Sequence, residues 1–251
     1  MADSPNLVAL FYRKAAEKGD APFLWRKQDG NWISLSWTEA ARQVSALASA
    51  LVALGIEPGD RVALVAESRP EWPLADLAIM AVHGISVPAY ITNSVADHHH
   101  ILSDSGAKAV FVSSAALAKR VLPAARQAGS VGFAIAMEPV EPGDSGLAIH
   151  LWDDLSQAHG DDTAPDFDAI EGGETACLIY TSGTGGVPKG VMLSHAAILC
   201  NCRGATEILR PLGLGDEIFL SFLPLSHSYE HTGGLFFPIM IGAQIYYAEG
   251  I

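Results

Sequence analysis

Helical and strand periodicities alternate along this 251-residue chain. That alternation predicts an α/β fold built of mostly parallel sheets with helices on both faces. Three observations carry the prediction. Segments with apolar residues at helical spacing alternate with short apolar runs of strand length. Those runs, such as 61–66 and 109–112, are apolar on both sides, as strands covered by helices on both faces must be. Capping residues and glycines punctuate the transitions.

The elements follow in order. Residues 6–18 place Leu7, Leu10, Phe11 and Ala15 on one helical stripe. Runs 23–25 and 32–36 flank Asp29-Gly30, a hairpin signal. Ser36-Trp37-Thr38-Glu39 reads as a capping box, and Gly55 ends the helix it opens. Strand 61–66 precedes a second capping box, Ser68-Arg69-Pro70-Glu71. Pro73 lacks an N–H, so the first turn of that helix is expected to be irregular. Strand 86–90, helix 96–105 and strand 109–112 come next. A helix begins near Ala115 and is expected to break at Pro123, before strand 132–136. Residues 159–174 are acid-rich with little apolar pattern and read as a solvated connector before a new structural unit.

Composition narrows the class. At 49% hydrophobic and 17% charged residues, the chain is not a disordered tail. Three cysteines in this length do not make a disulfide scaffold. A net charge of −13 argues against a nucleic-acid partner. The first residues have neither the basic nor the apolar region of a signal peptide. The apolar stretches 72–91 and 235–248 carry Asp76, His83, Pro238, Gly242 and Gln244, and read as buried core. Cys177, Cys200 and Cys202 lack zinc spacing, and a reducing, cytoplasmic location fits them.

The chemistry concentrates after the connector. A buried strand, 175–180, leads into Thr181-Ser182-Gly183-Thr184-Gly185-Gly186-Val187-Pro188-Lys189-Gly190. A second apolar strand, 191–193, follows, and Ser194 caps the next helix. Glycines let consecutive N–H groups converge on an anion, hydroxyls add donors and Lys189 adds a charge, so a polyphosphate is the expected ligand. The P-loop pattern fails, because Pro188 stands at its second glycine and Gly190 follows Lys189. The dinucleotide fingerprint fails for the same proline.

Residues 180–195, YTSGTGGVPKGVMLSH, closely resemble the AMP-binding signature of the adenylate-forming superfamily, which includes acyl-CoA synthetases. Segments 34–58, 61–89 and 100–112 (HILSDSGAKAVFV) and the 222–227 segment FLPLSH resemble further segments of that superfamily. The sequence LPLSHSYE at 223–230 is most similar to long-chain fatty acyl-CoA synthetases. The resemblance implies part of the large N-terminal domain of such an enzyme, spanning residues 1–251. It implies that ATP activates a carboxylic acid, most like a long-chain fatty acid, to an acyl-adenylate, which then passes to the thiol of coenzyme A. It assigns the ATP phosphates to Thr181, Ser182, Gly183, Thr184, Gly185, Gly186 and Lys189, and places His227 near the acyl carboxylate.

Gly185 departs from the usual Thr or Ser, which removes one hydroxyl donor from the loop. The superfamily's later adenine and Mg²⁺ segment, ribose acid, hinge and catalytic lysine are not found in these residues, so the chain is expected to be an N-terminal fragment, inactive alone. A mean hydropathy of +0.24 agrees with faces that further chain would cover. Two alternatives stay open: a ligase feeding a carrier protein, and a nucleotide-binding module without catalysis. Peripheral membrane association and a homodimer stay open too.

Gly233-Gly234-Leu235-Phe236-Phe237 could line an acyl tunnel or simply pack a helix. His98-His99-His100 point about 100° apart on a helix and are read as a solvated face, not a metal site. His195, beside a cap, is read as structural, and the five tryptophans as core.

Overall fold

The computed structural model describes residues 4–160, 165–181 and 187–248. The N-terminal part runs α1 (Leu7–Lys18), β1 (Pro22–Gln28), β2 (Asn31–Ser36), α2 (Trp37–Ala53), β3 (Arg61–Val65) and α3 (Glu71–Ala81). It continues through β4 (Ile85–Pro88), α4 (Val95–Ser105), β5 (Ala109–Val112), α5 (Ala115–Ala128), β6 (Phe133–Ala136), β7 (Ala148–Leu151) and α6 (Trp152–Ala158). Then come β8 (Thr175–Thr181), β9 (Lys189–Ser194), α7 (His195–Leu209) and β10 (Ile218–Ser221). Last are α8 (Ser228–Glu230), a π-helical stretch (His231–Phe236), α9 (Phe237–Ile241) and β11 (Gln244–Tyr247).

The α/β expectation holds. A seven-stranded sheet has the order β7-β6-β5-β3-β4-β8-β9, and only its edge strand β9 is antiparallel. Side chains alternate across it, as the strand period of two requires. Val62, Leu64, Phe111 and Ile135 point into a core shared with α1, α2, α3 and α7. Ala63, Val65, Val110, Val112 and Ala134 point into a second core under α4 and α5. Both faces are therefore covered, which is why the strands read as continuous apolar runs.

A second sheet, β10-β11-β1-β2, joins the β1–β2 hairpin to two parallel strands. Its turn residues Asp29 and Gly30 have φ of 51° and 80°, the paired left-handed conformation of a two-residue hairpin turn. Trp25 stacks on Tyr246 at 4.8 Å and Trp32 meets the same ring edge-on, so these two tryptophans form a surface cluster on this sheet. Trp37, Trp72 and Trp152 are buried, as expected of core residues.

Several local expectations are corrected. Ser36 caps α2 by accepting from the Glu39 N–H, but the Glu39 carboxylate turns to Arg42 and Gln43 and does not close the box. Ser68 does not cap α3. Glu71 pairs with Arg69 and Arg26, and α3 starts after Pro70 without a side-chain cap. Pro73 does no damage, because an N–H in the first turn has no helical partner to lose. Pro123 does not break α5. It and Lys119, whose carbonyl it leaves without its helical donor, are both exposed, so water can satisfy that carbonyl. The complete capping box lies at Ser94 and Asp97, ahead of α4, where Gly106 ends the helix at φ 62°.

The acid-rich stretch 159–174 is not a freely solvated connector in its described part. Phe167 stacks on Tyr12 at 4.7 Å, Ile170 is buried, and Asn6 donates from Nδ2 to the carbonyls of both residues. Two apolar anchors in an acidic stretch were enough to dock it. Residues 161–164 lie outside the described residues.

Candidate functional site

The elements that converge on one edge of the large sheet are set by strand direction. β8 runs parallel to β4, and the signature residues leave from its carboxyl end, where open α/β sheets bind ligands. β9 returns antiparallel, with Thr181 opposite Lys189 in the ladder. Both side chains are exposed, and among the described residues Lys189 pairs with no carboxylate. Its charge is therefore available to an anion between the strand ends. Ser182, Gly183, Thr184, Gly185 and Gly186 lie outside the described residues.

Both stems of this hairpin are held by α4. Tyr180, buried just before Thr181, donates its hydroxyl to Asp104 Oδ2 at 2.7 Å. Burial first, and then the Asp104 carboxylate, push the Tyr180 phenol well above its ordinary value, so it stays a donor. Gly190 faces Tyr180 across the ladder, where a Cβ would meet the ring at 3.2 Å. His100 Nε2 lies 2.9 Å from the Pro188 carbonyl oxygen, so that nitrogen carries the proton and donates. The three histidines are thus not a solvated face: His100 is bonded, and His98 is buried on the opposite side.

A second segment reaches the same edge. Ser68, just after β3, donates to the Leu223 carbonyl and accepts from the Leu225 N–H. The hydroxyl that the sequence suggested as a helix cap instead pins the 222–227 segment. His227 follows. It is exposed, and its Nδ1 accepts from the Tyr229 N–H at 3.2 Å, capping α8.

Beyond His227, an apolar groove of about 630 Å³ opens between α7 and the 228–237 helix. Ile198, Ala205, Phe219, Tyr229, Gly233 and Phe237 line it. Of the glycine-rich run considered for an acyl tunnel, only Gly233 and Phe237 face the groove. Gly234 makes room for Glu230, whose carboxylate lies within 2.7 Å of where a Cβ would stand, while Leu235 and Phe236 are core. Burial raises the Glu230 carboxyl, partly offset by its bond to Ser221.

Under this segment lies a polar cluster that sequence reasoning missed. His231 Nε2 meets Asp76 Oδ2 at 2.8 Å, and its Nδ1 lies 3.8 Å from Cys177 Sγ on β8. Both side chains of the ion pair are 0% exposed. The one available signal was Asp76 itself, a charge inside an apolar stretch, which needs a buried partner. Trp72 and Phe236 pack edge-on against the imidazole. Burial opposes the His231 charge, but the carboxylate of Asp76, reinforced by Cys177, outweighs it and holds the ring well above its ordinary pKa.

The histidines give stability a two-sided pH dependence. Burial, aided at His98 by the Arg120 charge, pushes His98 and His195 down to about 4. His195 is structural as expected, facing the Leu7 N–H with Nδ1 at 3.4 Å. A histidine lowered on folding contributes stability that is complete above ~6.5 and is lost as pH falls toward its folded value. His231, raised on folding, contributes stability that is complete below ~6.5 and is lost as pH rises. The melting temperature should therefore fall between pH 6.5 and 4, and again on the alkaline side. In a pH series of thermal scans, His98→Phe should flatten the acid limb; an unchanged slope would remove His98 from the account.

Among the described residues no group of three or more His, Cys, Asp or Glu could hold a metal, and no helix is long and apolar enough to cross a membrane.

Comparison with known proteins adds the following. The family described as AMP-binding enzyme matches residues 11–251. A long-chain-fatty-acid–CoA ligase of Mycobacterium tuberculosis, FadD15, is 32% identical over 231 residues, covering 90% of this chain and 37% of its own length. A second such ligase, ACSBG2 of Xenopus laevis, is 28% identical over 96% of this chain and 33% of its own length. The chain thus spans roughly a third of the length of these curated relatives. Among solved structures, the adenylation domain of a carboxylate reductase from Mycobacterium chelonae superposes with a TM-score of 0.80. It is 21% identical and covers 97% of this chain and 42% of its own. The adenylation and carrier didomain of a carboxylic acid reductase from Segniliparus rugosus, in complex with AMP, gives 0.83 at 18% identity, covering 98% and 40%. At these identities the likeness is one of fold.

Proposed function

The chain belongs to the AMP-binding enzyme family, and from that premise we propose that it contributes the phosphate-binding and acyl-binding elements of an ATP-dependent acid–thiol ligase acting on long-chain fatty acids. The observation that carries the reading is the exposed Thr181–Lys189 hairpin base at the carboxyl end of β8. Lys189 pairs with no carboxylate among the described residues, and a separate apolar groove, walled by Leu193 farther along β9, opens between α7 and the 228–237 helix after the segment that Ser68 pins. A fatty acid needs both an apolar cleft for its chain and cations for the ATP it reacts with.

In the first half-reaction, a carboxylate oxygen bonds to the α-phosphorus of ATP as the bond to the bridging oxygen breaks, releasing pyrophosphate. Negative charge grows on that leaving group, and donors fixed around it stabilise the transition state. Lys189, Thr181 and the signature residues Ser182, Gly183, Thr184, Gly185 and Gly186 fill that role in the proposal. His227, exposed and bonded through Nδ1 to the Tyr229 N–H, is assigned to the acyl carboxylate or adenylate. In the second half-reaction, the thiol of coenzyme A gives its proton to water, its sulfur bonds to the acyl carbon, and the bond from that carbon to the phosphate oxygen breaks, releasing AMP. Mg²⁺ would neutralise phosphate charge when bound, and the described residues offer no cluster of three or more His, Cys, Asp or Glu for it. Peripheral membrane contact, a homodimer and a cytoplasmic location belong to the same proposal.

The test is ATP–pyrophosphate exchange with palmitate, run on the whole protein and on the 251-residue chain. Palmitate-dependent exchange by the whole protein is expected, and its absence would overturn the reading. The chain alone is expected to show no comparable turnover.

A further inference from the structure

Two side chains on α4 contact the two stems of the signature hairpin, and nothing in the proposed reaction yet uses them. They are His100 and Asp104, four residues apart and therefore on one face of the helix. Asp104 accepts from Tyr180, the residue before Thr181. His100 donates to the carbonyl of Pro188, the residue before Lys189. The contacts are not independent, because the Tyr180 ring lies edge-on to the His100 imidazole at 6.1 Å and 86°. Thr181 and Lys189, held by these stems, are themselves paired across the ladder.

We infer that His100 and Asp104 form a two-point clamp that sets the spacing and direction of the nucleotide-binding hairpin, making them positioning residues for ATP. The inference rests on the phosphate-binding role proposed above. Several features make α4 suited to the task. It has the complete capping box at its start and a left-handed glycine at its end, so its length is fixed. Ile101 and Leu102 seat it in the core beneath the large sheet. β9, by contrast, is an edge strand with Val191 and Met192 exposed, so it has a neighbour on one side only. The Lys189 end of the hairpin therefore takes its lateral support from β8 and from the His100 bond. A lysine that must meet a phosphate oxygen within hydrogen-bond reach gains little if its strand end can sway. The small size of Gly190 fits the same device, since it lets β9 approach the Tyr180 ring.

The test uses the whole protein, with the KM values for ATP and palmitate, kcat and the melting temperature measured in parallel. His100→Ala and Asp104→Ala should each raise the KM for ATP about three- to tenfold, the scale of one lost hydrogen bond at a binding site, with the KM for palmitate within twofold of wild type. His100→Gln keeps an N–H donor and should recover part of the loss. Tyr180→Phe should match Asp104→Ala, and the two combined should cost no more than either alone, because they remove the same bond. A fall in melting temperature with an unchanged KM for ATP would overturn the clamp and leave α4 a packing element. Equal loss for ATP and palmitate would overturn it as well. If the wild-type protein uses no ATP, the phosphate-binding reading fails and the clamp fails with it; loss of the clamp alone leaves wild-type ATP use intact.

Discussion

Lys189→Ala is expected to slow adenylation by roughly ten- to a hundredfold in the whole protein. The side chain is exposed at the hairpin base and pairs with no carboxylate among the described residues, so its charge is free for a ligand. A charge-assisted hydrogen bond to a phosphate oxygen is worth ~1.5–3 kcal/mol, which sets that range of rates. Because the lysine is exposed, the melting temperature should not move. Lys189→Arg keeps the charge but spreads it over a planar fork, so it should recover only part of the rate. ATP–pyrophosphate exchange at saturating palmitate measures all three proteins. A rate within twofold of wild type for the alanine variant would remove Lys189 from the mechanism.

Asp76→Asn is expected to be the most destabilising single change outside the site. It leaves His231 in a fully buried pocket without its counter-ion, and breaking one half of a buried pair costs about 3–5 kcal/mol. His231→Leu strands the carboxylate and should cost as much. Their combination, Asp76→Leu with His231→Leu, removes both charges and should be less damaging than either single change, since apolar replacements of buried pairs are often neutral or better. Urea unfolding followed by tryptophan fluorescence gives the comparison, with Trp72 beside the pair as a local reporter. Single variants that lose under 1 kcal/mol would show that the pair is not a buried ionic contact.

The sequence disclosed most of the architecture because it is written in local periodicity. The runs at 61–66 and 109–112 are apolar on both faces, and the two cores on either side of the sheet are the reason. Local motifs failed where a distant partner captured the side chain. Ser68 fits a capping box with Glu71, yet its hydroxyl serves the backbone of Leu223 and Leu225, some 155 residues on. His100 looks like one of three solvated histidines until Pro188 is brought beside it. Phe167 and Ile170 carry no periodicity, and only their contacts with Tyr12 and Asn6 reveal them as anchors. The β8–β9 pairing was legible because its two strands are separated by a short, glycine-rich stretch of sequence. The Asp76–His231–Cys177 cluster was not, since its members come from a helix, a π-helical stretch and a strand far apart in the chain.

The docking of α1 sets an order of events during synthesis. Its cap, Asn6, bonds to the carbonyls of Phe167 and Ile170, and its first N–H meets His195, 188 residues downstream of Leu7. None of these partners exists when the helix leaves the ribosome. At roughly 5–20 residues per second, the wait is about 10–40 s. Throughout it, Leu7, Val8, Leu10 and Phe11 have no complete binding site. α1 can lay its apolar stripe against α2 as soon as that helix emerges, but the bonds that lock its cap must await the strand and helix that carry the signature, so the nascent chain holds a docked yet unlatched helix until then.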